Sequence, residues 1–305
     1  MERDQCERIF AVMQSGGFLD AIAAAGPDLE RVRRYLDRFA NQEAPDARLK
    51  GQPTTYPSFP GLHHRRFHSA EDFPAARILE DAFAVIAAEV EGLEASRELD
   101  YVPISRLLMR LLSLFNKDLR RIRWRIYPLF YMGVKVETSP PACPATFDIV
   151  KSLPEVCTDY PWGDALVSIQ RPHSRLPSHS SIDNLRVRCH LGITIPDRSG
   201  IRVGGEDRTW ERGRCLLFED SFEHEVWNDS RRRRVVLIVD LWHPGLTRLE
   251  REALTAGFRK REVRSLFMRD RIKLTDNPDR YVRLLERDLA ASDSHPLIRR
   301  YWRSP

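Results

Sequence analysis

The feature that most constrains this fold is a series of short apolar runs between residues 165 and 242, separated by turns rather than by helical patterns. The runs read ALVSIQ, LRVRCHLGITI, IRV, RCLLFE and RRVVLIVDLW, and Gly, Pro, Asp and Asn divide them. The segment GGED has the composition of a tight hairpin turn. Because short strands at such close spacing pair antiparallel, the sequence predicts a β-sandwich or barrel.

Helical patterns lie on both sides of this β region. PDLERVRRYLDRF and ARILEDAFAVIAAEVEGL repeat apolar residues every three or four positions, ISRLLMRLLSLF is more apolar still, and NPDRYVRLLERDL begins with an Asn cap. TRLEREAL contains a capping box, Thr247 with Glu250. The prolines of PTTYPSFPGLHHRRFHS predict an extended crossing segment, and SPPACPATF predicts a loop. We therefore predict an α+β chain with a helical region at 1–125, a β core at 126–246 and a helical extension at 247–305.

Composition argues against several function classes. The 305 residues carry a net charge of +5, concentrated in Arg231 to Arg234 and in FRKREVRSLFMRDRIK. Acidic and apolar residues interrupt the second run, which favours a solvated helix face over a nucleic-acid site. The five cysteines are scattered and odd in number, which favours reduced thiols over a zinc site or disulfides. The sequence has neither a signal-peptide pattern nor an apolar stretch of about 20 residues, so we expect a cytoplasmic protein without a membrane partner.

The run LRVRCHLGITI has one basic face and one apolar face. Alternate side chains of a strand point to opposite sides, so Arg186, Arg188 and His190 share one side. The other side carries Leu185, Val187, Cys189 and Leu191. The apolar side is easily buried, whereas the basic side must face solvent or a polar cavity.

Arg234 stands where its strand becomes fully apolar, so we expect its side chain to enter the interior. A buried guanidinium is costly unless it meets an anion, and its planar fork suits a carboxylate. His224 lies in an acid-rich turn ten residues before Arg234 and 45 residues after His179. Two histidines on separate β-segments, followed by an arginine, have the spacing of a non-haem iron site with an oxo-acid cosubstrate.

Three segments carry a resemblance to a known family: HLGITIP, RTWERGRCLLFEDSFEHEVWNDS and VVLIVDLWHPGLT. They resemble the aspartyl/asparaginyl β-hydroxylases, which are iron(II)- and 2-oxoglutarate-dependent oxygenases, and the similarity is continuous over about 168–247. Weaker similarity covers PGLHHRRFHSAEDFPAARILEDAF and the stretch from Trp124 through GVKVE. The resemblance implies a double-stranded β-helix core of the jelly-roll or cupin-like kind, with Fe(II), 2-oxoglutarate and O2 taking part in the reaction.

The resemblance also implies roles for individual residues. Iron would be bound by His179 and His224, and Arg234 would bind the distal carboxylate of 2-oxoglutarate. Arg186 matches the family arginine that holds an acidic side chain of the substrate. The cosubstrate pocket would be completed by Ser168, Arg188, His190 and Trp124.

One departure concerns the third metal ligand. Most oxygenases of this class have a carboxylate two residues after the first histidine, where this chain reads His179-Ser180-Ser181. The β-hydroxylase family has a glycine there, so two protein ligands are normal for it, and either Ser181 or a water could fill the third position. Asp183 stands two residues too far along for the usual geometry.

The predicted function is hydroxylation of an unactivated carbon, with the β-carbon of an Asp- or Asn-like residue as the favoured target. The substrate would be an acidic or amide-bearing small molecule or peptide. Three alternatives stay open: a halogenase, since the missing carboxylate frees a coordination position, a cupin-like module that binds an oxo-acid without turnover, and a basic nucleic-acid scaffold. The remaining histidines, including His64, His68 and His243, are interpreted as surface, core or strand-end residues. The sequence leaves the oligomeric state open.

Overall fold

The computed structural model describes residues 17–41, 51–95, 124–135 and 143–260, except 55 and 132, together with residues 11, 13, 14 and 263. The predicted helices ISRLLMRLLSLF and NPDRYVRLLERDL lie outside these residues. The described helices are α1 (Phe18–Ala24), α2 (Glu30–Ala40), α3 (Pro74–Asp81), α4 (Phe83–Ala95), α5 (Pro144–Ser152) and α6 (Arg248–Phe258). The described strands are β1 (Phe67–His68), β2 (Trp124–Tyr131), β3 (Val134–Lys135), β4 (Ala165–Gln170), β5 (Ser174–His179), β6 (Arg186–Thr194), β7 (Ser199–Val203), β8 (Glu206–Arg208), β9 (Cys215–Phe218), β10 (His224–Asn228) and β11 (Arg234–Trp242).

The strands form two antiparallel sheets. The larger sheet has the order β1-β9-β6-β11-β4-β2-β3, and the smaller has the order β5-β10-β7-β8. The segment GGED forms the tight β7–β8 hairpin as predicted, with Gly204 and Gly205 at φ values of 53° and 86°. This architecture confirms the predicted α+β class with a jelly-roll, cupin-like core.

The larger sheet is buried on both faces. Its outer face packs against α3, α4 and α5, where Leu79 and Val90 join Val187, Leu191 and Leu237 in one apolar cluster. Its inner face meets the smaller sheet in a second cluster, which includes Ile201, Val203, Val226, Val236 and Ile238. The apolar side of β6 therefore faces the helices, and its basic side faces the space between the sheets.

The flanking helices close one end of the sandwich. Tyr35 of α2 and Phe258 of α6 pack with Tyr160 in a third apolar cluster. The capping box of Thr247 and Glu250 is present as predicted, and the Glu250 carboxylate also accepts a 2.7 Å hydrogen bond from Arg31 Nε. None of the described helices combines the length and hydrophobicity required of a transmembrane span.

Three details differ from the sequence predictions. Strand β2 begins at Trp124, before the predicted core boundary, and β1 brings part of the N-terminal region into the larger sheet. Helix α5 begins inside the predicted loop SPPACPATF. The carboxylate of Glu89 in α4 accepts hydrogen bonds from the backbone N–H groups of Ala145 and Thr146 at 2.9 and 2.8 Å. The cap that starts α5 therefore comes from a distant residue, which the local sequence does not show.

Replacing Gly192 of β6 with alanine tests the close packing behind the site. A Cβ atom there would stand 2.2 Å from the backbone carbonyl oxygen of Glu211, so the strand must shift. We expect Gly192→Ala to lower the free energy of unfolding by about 2–3 kcal/mol, measured by urea denaturation. The matched control is Gly92→Ala in α4, where nothing lies within 4 Å of the new Cβ. It should raise stability by up to about 1 kcal/mol, and equal effects of the two substitutions would contradict the packing argument.

Candidate active site

His179 and His224 lie side by side at the end of the smaller sheet. His179 ends β5 and His224 begins β10, and the two residues are directly opposite each other in the antiparallel pair. Their ring centroids are 4.1 Å apart, with the ring planes inclined by 51°. The two sequence-predicted metal ligands are therefore brought together, although they are 45 residues apart in the chain.

Both imidazoles are held in the tautomer that suits metal binding. His179 Nδ1 lies 2.8 Å from the carbonyl oxygen of Pro177, and His224 Nδ1 lies 2.9 Å from that of Phe222. A proton on each Nδ1 leaves the lone pair on Nε2, the usual arrangement in metal-binding histidines. Desolvation lowers the pKa of both rings, and for His224 the neighbouring His179 lowers the pKa further. At neutral pH each ring is therefore an uncharged ligand.

Arg234 is buried between the sheets without a counter-charge. Its Nη2 donates to Gln170 Oε1 at 3.1 Å and its Nη1 contacts Ser168 Oγ at 3.4 Å, while its Nε has no acceptor. Among the residues that the structure describes, no carboxylate forms an ion pair with Arg234. Burial alone lowers the pKa of this guanidinium to about 9. A buried cation of this kind is costly unless an anion from outside the chain accompanies it.

The side chains around Arg234 are hydrogen-bond donors as well. Trp210 donates from Nε1 to His190 Nδ1 at 3.1 Å, so the proton of a neutral His190 lies on Nε2, which is buried and has no partner. Trp124 donates from Nε1 to Ser168 Oγ at 2.8 Å, which leaves the Ser168 hydroxyl proton available. The Arg234 guanidinium stacks on the ring of Trp210 at 4.8 Å. The structure thus brings the predicted Arg234, His190, Ser168 and Trp124 together, and the acceptors given for the Arg234 guanidinium, Gln170 Oε1 and Ser168 Oγ, are neutral.

Arg188, the remaining residue predicted for the cosubstrate pocket, pairs with a carboxylate of the chain. Its Nε and Nη2 form a bidentate pair with Asp240 at 2.7 and 2.8 Å. Its Nη2 also lies 3.4 Å from Asp220. Burial would raise the pKa of Asp240, but Arg188 and Arg186 outweigh it and lower this pKa. Only part of the Arg188 guanidinium is therefore available to bind a ligand.

A cavity of about 170 Å³ opens beside the two histidines. Its walls include Arg186, Arg188, Asp164, Asp220 and Trp162. Asp220 is buried, its Oδ1 has no hydrogen-bond donor, and burial raises the pKa of its carboxyl to about 6. Neither Asp220 nor Asp240 is among the residues predicted from the sequence. The sequence signal for Asp240 is a lone acid in the otherwise apolar strand VVLIVDLW, and Asp220 stands in the acid-rich turn before His224.

Arg186 is placed differently from what an acidic substrate would require. Its Nη1 donates to Asp240 Oδ2 at 3.0 Å, and its Nε lies 3.4 Å from Asp183 Oδ1. Its other hydrogen bonds go to the backbone carbonyl of Trp162 and to the hydroxyl of Ser181. Its role in substrate binding stays a prediction, and one that this geometry does not favour. Asp183 forms an ion pair with Arg186 and is not among the residues that line the cavity.

A second cluster of titratable groups surrounds Glu219. His64 Nδ1 lies 2.6 Å, His68 Nε2 3.0 Å and His243 Nε2 3.5 Å from its carboxylate oxygens. Candidate ligand atoms of His64, Glu219 and His243 lie within 4.8 Å of one another, a spacing that could hold a metal ion. The sequence does not predict this cluster, because His243 and Glu219 are far from His64 and His68 in the chain.

The hydrogen bonds on the far side of the rings favour a proton clamp over a metal site here. Asn184 donates to His64 Nε2 at 3.0 Å, and the Gly245 backbone N–H donates to His243 Nδ1 at 3.0 Å. Each of these two rings therefore carries an N–H on the nitrogen that faces Glu219. Burial would raise the pKa of Glu219, but hydrogen bonds from His243, His64 and His68 hold it well below its usual range. We call these four side chains, His64, His68, Glu219 and His243, the Glu219 clamp.

Comparison with known proteins gives a family and several relatives. The family model described as aspartyl/asparaginyl beta-hydroxylase matches residues 80–244, just over half of the chain. An aspartate beta-hydroxylase domain-containing protein 2 from Xenopus tropicalis is 30% identical over 74% of this chain and 57% of its own length. The human aspartyl/asparaginyl beta-hydroxylase is 39% identical over 44% of this chain and 18% of its own length. An ornithine lipid ester-linked acyl 2-hydroxylase from Rhizobium tropici is 33% identical over 56% of this chain and 58% of its own length.

The chain thus spans less than two thirds of the length of each of these relatives. Among solved structures, the Cupin_2 domain of an XRE family transcriptional regulator from Enterobacter cloacae aligns with 39% of this chain and 95% of its own length. That alignment has 14% sequence identity and a TM-score of 0.26. The fold described above is established by the strand order and does not depend on it.

Glu219→Gln tests the Glu219 clamp. The amide removes the charge and replaces one acceptor oxygen by an NH2 group, which faces other N–H donors, so we expect a loss of about 3 kcal/mol in the free energy of unfolding. Urea denaturation measures the change. The control is Glu225→Gln. Glu225 pairs at 3.0 Å with the exposed Arg202, so this substitution should cost less than about 1 kcal/mol. A loss no larger than that of the control would show that the clamp adds no stability.

Proposed function

This chain belongs to the aspartyl/asparaginyl β-hydroxylase family, and on that premise we propose that it is an iron(II)- and 2-oxoglutarate-dependent dioxygenase that hydroxylates an unactivated carbon. The observation that carries the proposal is the buried guanidinium of Arg234, which has no anion of its own. Next to it stand the unpartnered Nε2 of His190 and the Ser168 hydroxyl. A dicarboxylic oxo-acid is the kind of ligand that supplies the missing acceptors.

The residues present fit an iron site. His179 and His224 are neutral, adjacent and held in the tautomer that leaves Nε2 for a metal. When bound, the ferrous ion would supply the activation of dioxygen that a protein side chain cannot perform. Asp220 lines the same cavity and has a free oxygen, so it is the carboxylate best placed to accept a hydrogen bond from a water or ligand at that metal.

The other side chains position the cosubstrate and exclude water. Arg234 would bind one carboxylate beside Trp210, whose ring lies 4.8 Å from its guanidinium and limits its movement. Trp124 orients the Ser168 hydroxyl toward that carboxylate. The apolar contacts of Phe218 and Trp210 with His190 keep bulk water from this part of the barrel. The distance from the Arg234 guanidinium to the His179–His224 pair sets the length of the dicarboxylic acid that can contact both groups.

The alternative of a cupin-like binding module without turnover explains less of the structure. It requires an anion site, but it gives no reason for two neutral histidines that both present Nε2. Family membership by itself leaves the substrate open. The names of the relatives include a hydroxylase of aspartyl and asparaginyl residues and a hydroxylase of a lipid acyl chain. We propose a small-molecule or peptide substrate, without a nucleic-acid or membrane partner.

The test of this function is formation of succinate from 2-oxoglutarate by the full chain, with and without added iron(II). We expect iron-dependent succinate formation even without a substrate. In the His224→Ala variant, the rate of succinate formation should fall by at least about 100-fold. Loss of a residue that only supports a metal ligand costs up to about 100-fold, and loss of a ligand should cost no less. The control is His63→Ala, an exposed histidine, which should leave the rate unchanged. Succinate formation that needs no iron, or survives His224→Ala, would overturn the proposal. A product that gains chlorine instead of oxygen would replace hydroxylation with halogenation.

Arg234→Met separates binding of the cosubstrate from stability. Removing the partner of a buried carboxylate costs several kcal/mol, so we expect the Kd of 2-oxoglutarate to rise by about 100-fold. Because the guanidinium is unpaired without ligand, the same substitution should leave the unliganded chain as stable as before or more stable. Calorimetry and urea denaturation measure the two quantities. The control is Arg232→Met, at an exposed arginine, and an unchanged Kd in Arg234→Met would contradict the assigned anion site.

A further inference from the structure

Gln170 is a buried glutamine that contacts Arg234 from the neighbouring strand. It ends β4 and stands directly opposite Arg234 of β11 and Trp124 of β2, so the three side chains lie side by side on one face of the larger sheet. Gln170 is 1% exposed, and its Oε1 accepts a hydrogen bond from Arg234 Nη2 at 3.1 Å. Gln170 is not among the residues predicted from the sequence.

The hydrogen bonds of the Gln170 amide fix its orientation. Its Nε2 donates to the carbonyl oxygen of Ser174 at 3.1 Å and to that of Val226 at 3.3 Å. A half-turn of the amide would point Oε1 at these two carbonyl oxygens and Nε2 at the N–H groups of Arg234, and every one of these hydrogen bonds would be lost. The acceptor that faces Arg234 is therefore fixed in place. Because it is neutral, it orients the guanidinium without supplying the missing anion.

The same amide links the anion site to the strands that carry the two histidines. Its two carbonyl acceptors lie in β5 and β10, the strands that contain His179 and His224. Gln170 and Arg234 belong to the larger sheet, so the Gln170 side chain bridges the two sheets. A ligand that contacts both Arg234 and the histidine pair therefore meets two groups whose separation this bridge holds fixed.

The turn between β4 and β5 has hydrogen bonds of its own, apart from the Gln170 side chain. Asn228 Nδ2 donates to the backbone carbonyl oxygens of Gln170 and Arg171, each at 3.2 Å. Ser174 Oγ donates to the carbonyl oxygen of Arg171 at 2.7 Å. Closing this turn therefore does not account for the amide oxygen of Gln170, whose partner is Arg234.

We propose that Gln170 is a positioning residue that holds the Arg234 guanidinium at a fixed separation from the histidine pair and thereby selects the length of the oxo-diacid that the site accepts. The proposal rests on the proposed function, because a 2-oxo-diacid is the ligand whose length is selected. A fixed anchor discriminates between ligands that differ by one methylene, by about 10- to 200-fold in favourable cases. An anchor that moves follows the carboxylate of a longer acid, and the discrimination is lost.

The experiment compares two acids that bind to the full chain, loaded anaerobically with iron(II). The probes are 2-oxoglutarate and 2-oxoadipate, which has one more methylene. Calorimetry on the wild-type chain should give a Kd for 2-oxoglutarate at least about 10-fold below that for 2-oxoadipate. Equal Kd values, or failure of both acids to bind, overturn the proposal.

Gln170→Met keeps the side-chain volume but removes the acceptor for Arg234 and the donor to the smaller sheet. We expect the ratio of the two Kd values to fall by at least about 5-fold in this variant. An unchanged ratio in the folded variant, checked by circular dichroism, refutes the role of Gln170. Gln170→Ala decides the outcome if Gln170→Met does not fold. Its space admits a water that satisfies the carbonyl groups without fixing the guanidinium, so the ratio should fall there as well.

The matched control is Gln52→Met, at a second buried glutamine. Gln52 is 4% exposed, and its Nε2 donates to Glu219 Oε2 at 3.2 Å instead of bridging the two sheets. This substitution should lower the free energy of unfolding but keep the wild-type ratio of Kd values. An equal fall in the ratio would assign the effect to lost stability and contradict the positioning role.

A double-mutant cycle with Arg234→Met tests whether Gln170 acts through Arg234. Without the guanidinium, Gln170 has no anchor to hold, so adding Gln170→Met to Arg234→Met should leave the ratio of the two Kd values unchanged. A further fall of the ratio in the double variant would show that Gln170 acts independently of Arg234, and it would overturn the proposal.

This proposal and the proposed function fail in different ways. If iron-dependent succinate does not form but the ratio of Kd values still depends on Gln170, only the proposed reaction is wrong. If succinate forms and the ratio survives both substitutions of Gln170, only the role of Gln170 is wrong.

Discussion

The antiparallel pairing of β6 with β11 determines where Arg188, Arg234 and Asp240 lie. Asp240 stands opposite Arg188, and Ile238 stands opposite His190. The alternation of each strand then directs Arg234 and Asp240 of β11 to the same interior face as Arg188 and His190 of β6. A slip of one residue would turn these groups toward the helices and their apolar neighbours toward the cavity. Burial of the apolar residues against α3, α4 and α5 therefore also holds the polar residues in place.

The interior contains two kinds of arginine, and the difference between them has functional meaning. Arg186 and Arg188 have carboxylates of the chain as partners, so their charges are balanced in the unliganded protein. Arg234 has only the neutral Gln170 and Ser168. A charge that is paired within the chain contributes to the structure of the site, whereas an unpaired buried charge favours binding of an ion from outside. Arg234 is therefore the interior cation that an anion from outside the chain would bind.

The Glu219 clamp connects the barrel to the segment that precedes it. Glu219 directly precedes Asp220, and it is held by His64 and His68 from the N-terminal side and by His243 from the end of β11. These contacts stabilise the turn that leads from β9 to His224. The position of His224 thus depends on residues that lie outside both the smaller sheet and the cavity.

The sequence by itself determined the β-sandwich, the burial of Arg234 and the nearness of His179 to His224. Strand alternation and family resemblance carry that information locally. The tertiary structure decided what the arginines meet, since Asp183, Asp220 and Asp240 reach Arg186 and Arg188 from separate parts of the chain. It also decided the start of α5, which is capped by Glu89 from another helix. The physical reason is that strand periodicity states which side a residue faces, whereas an ion pair or a cap depends on which distant residue folding brings to that side.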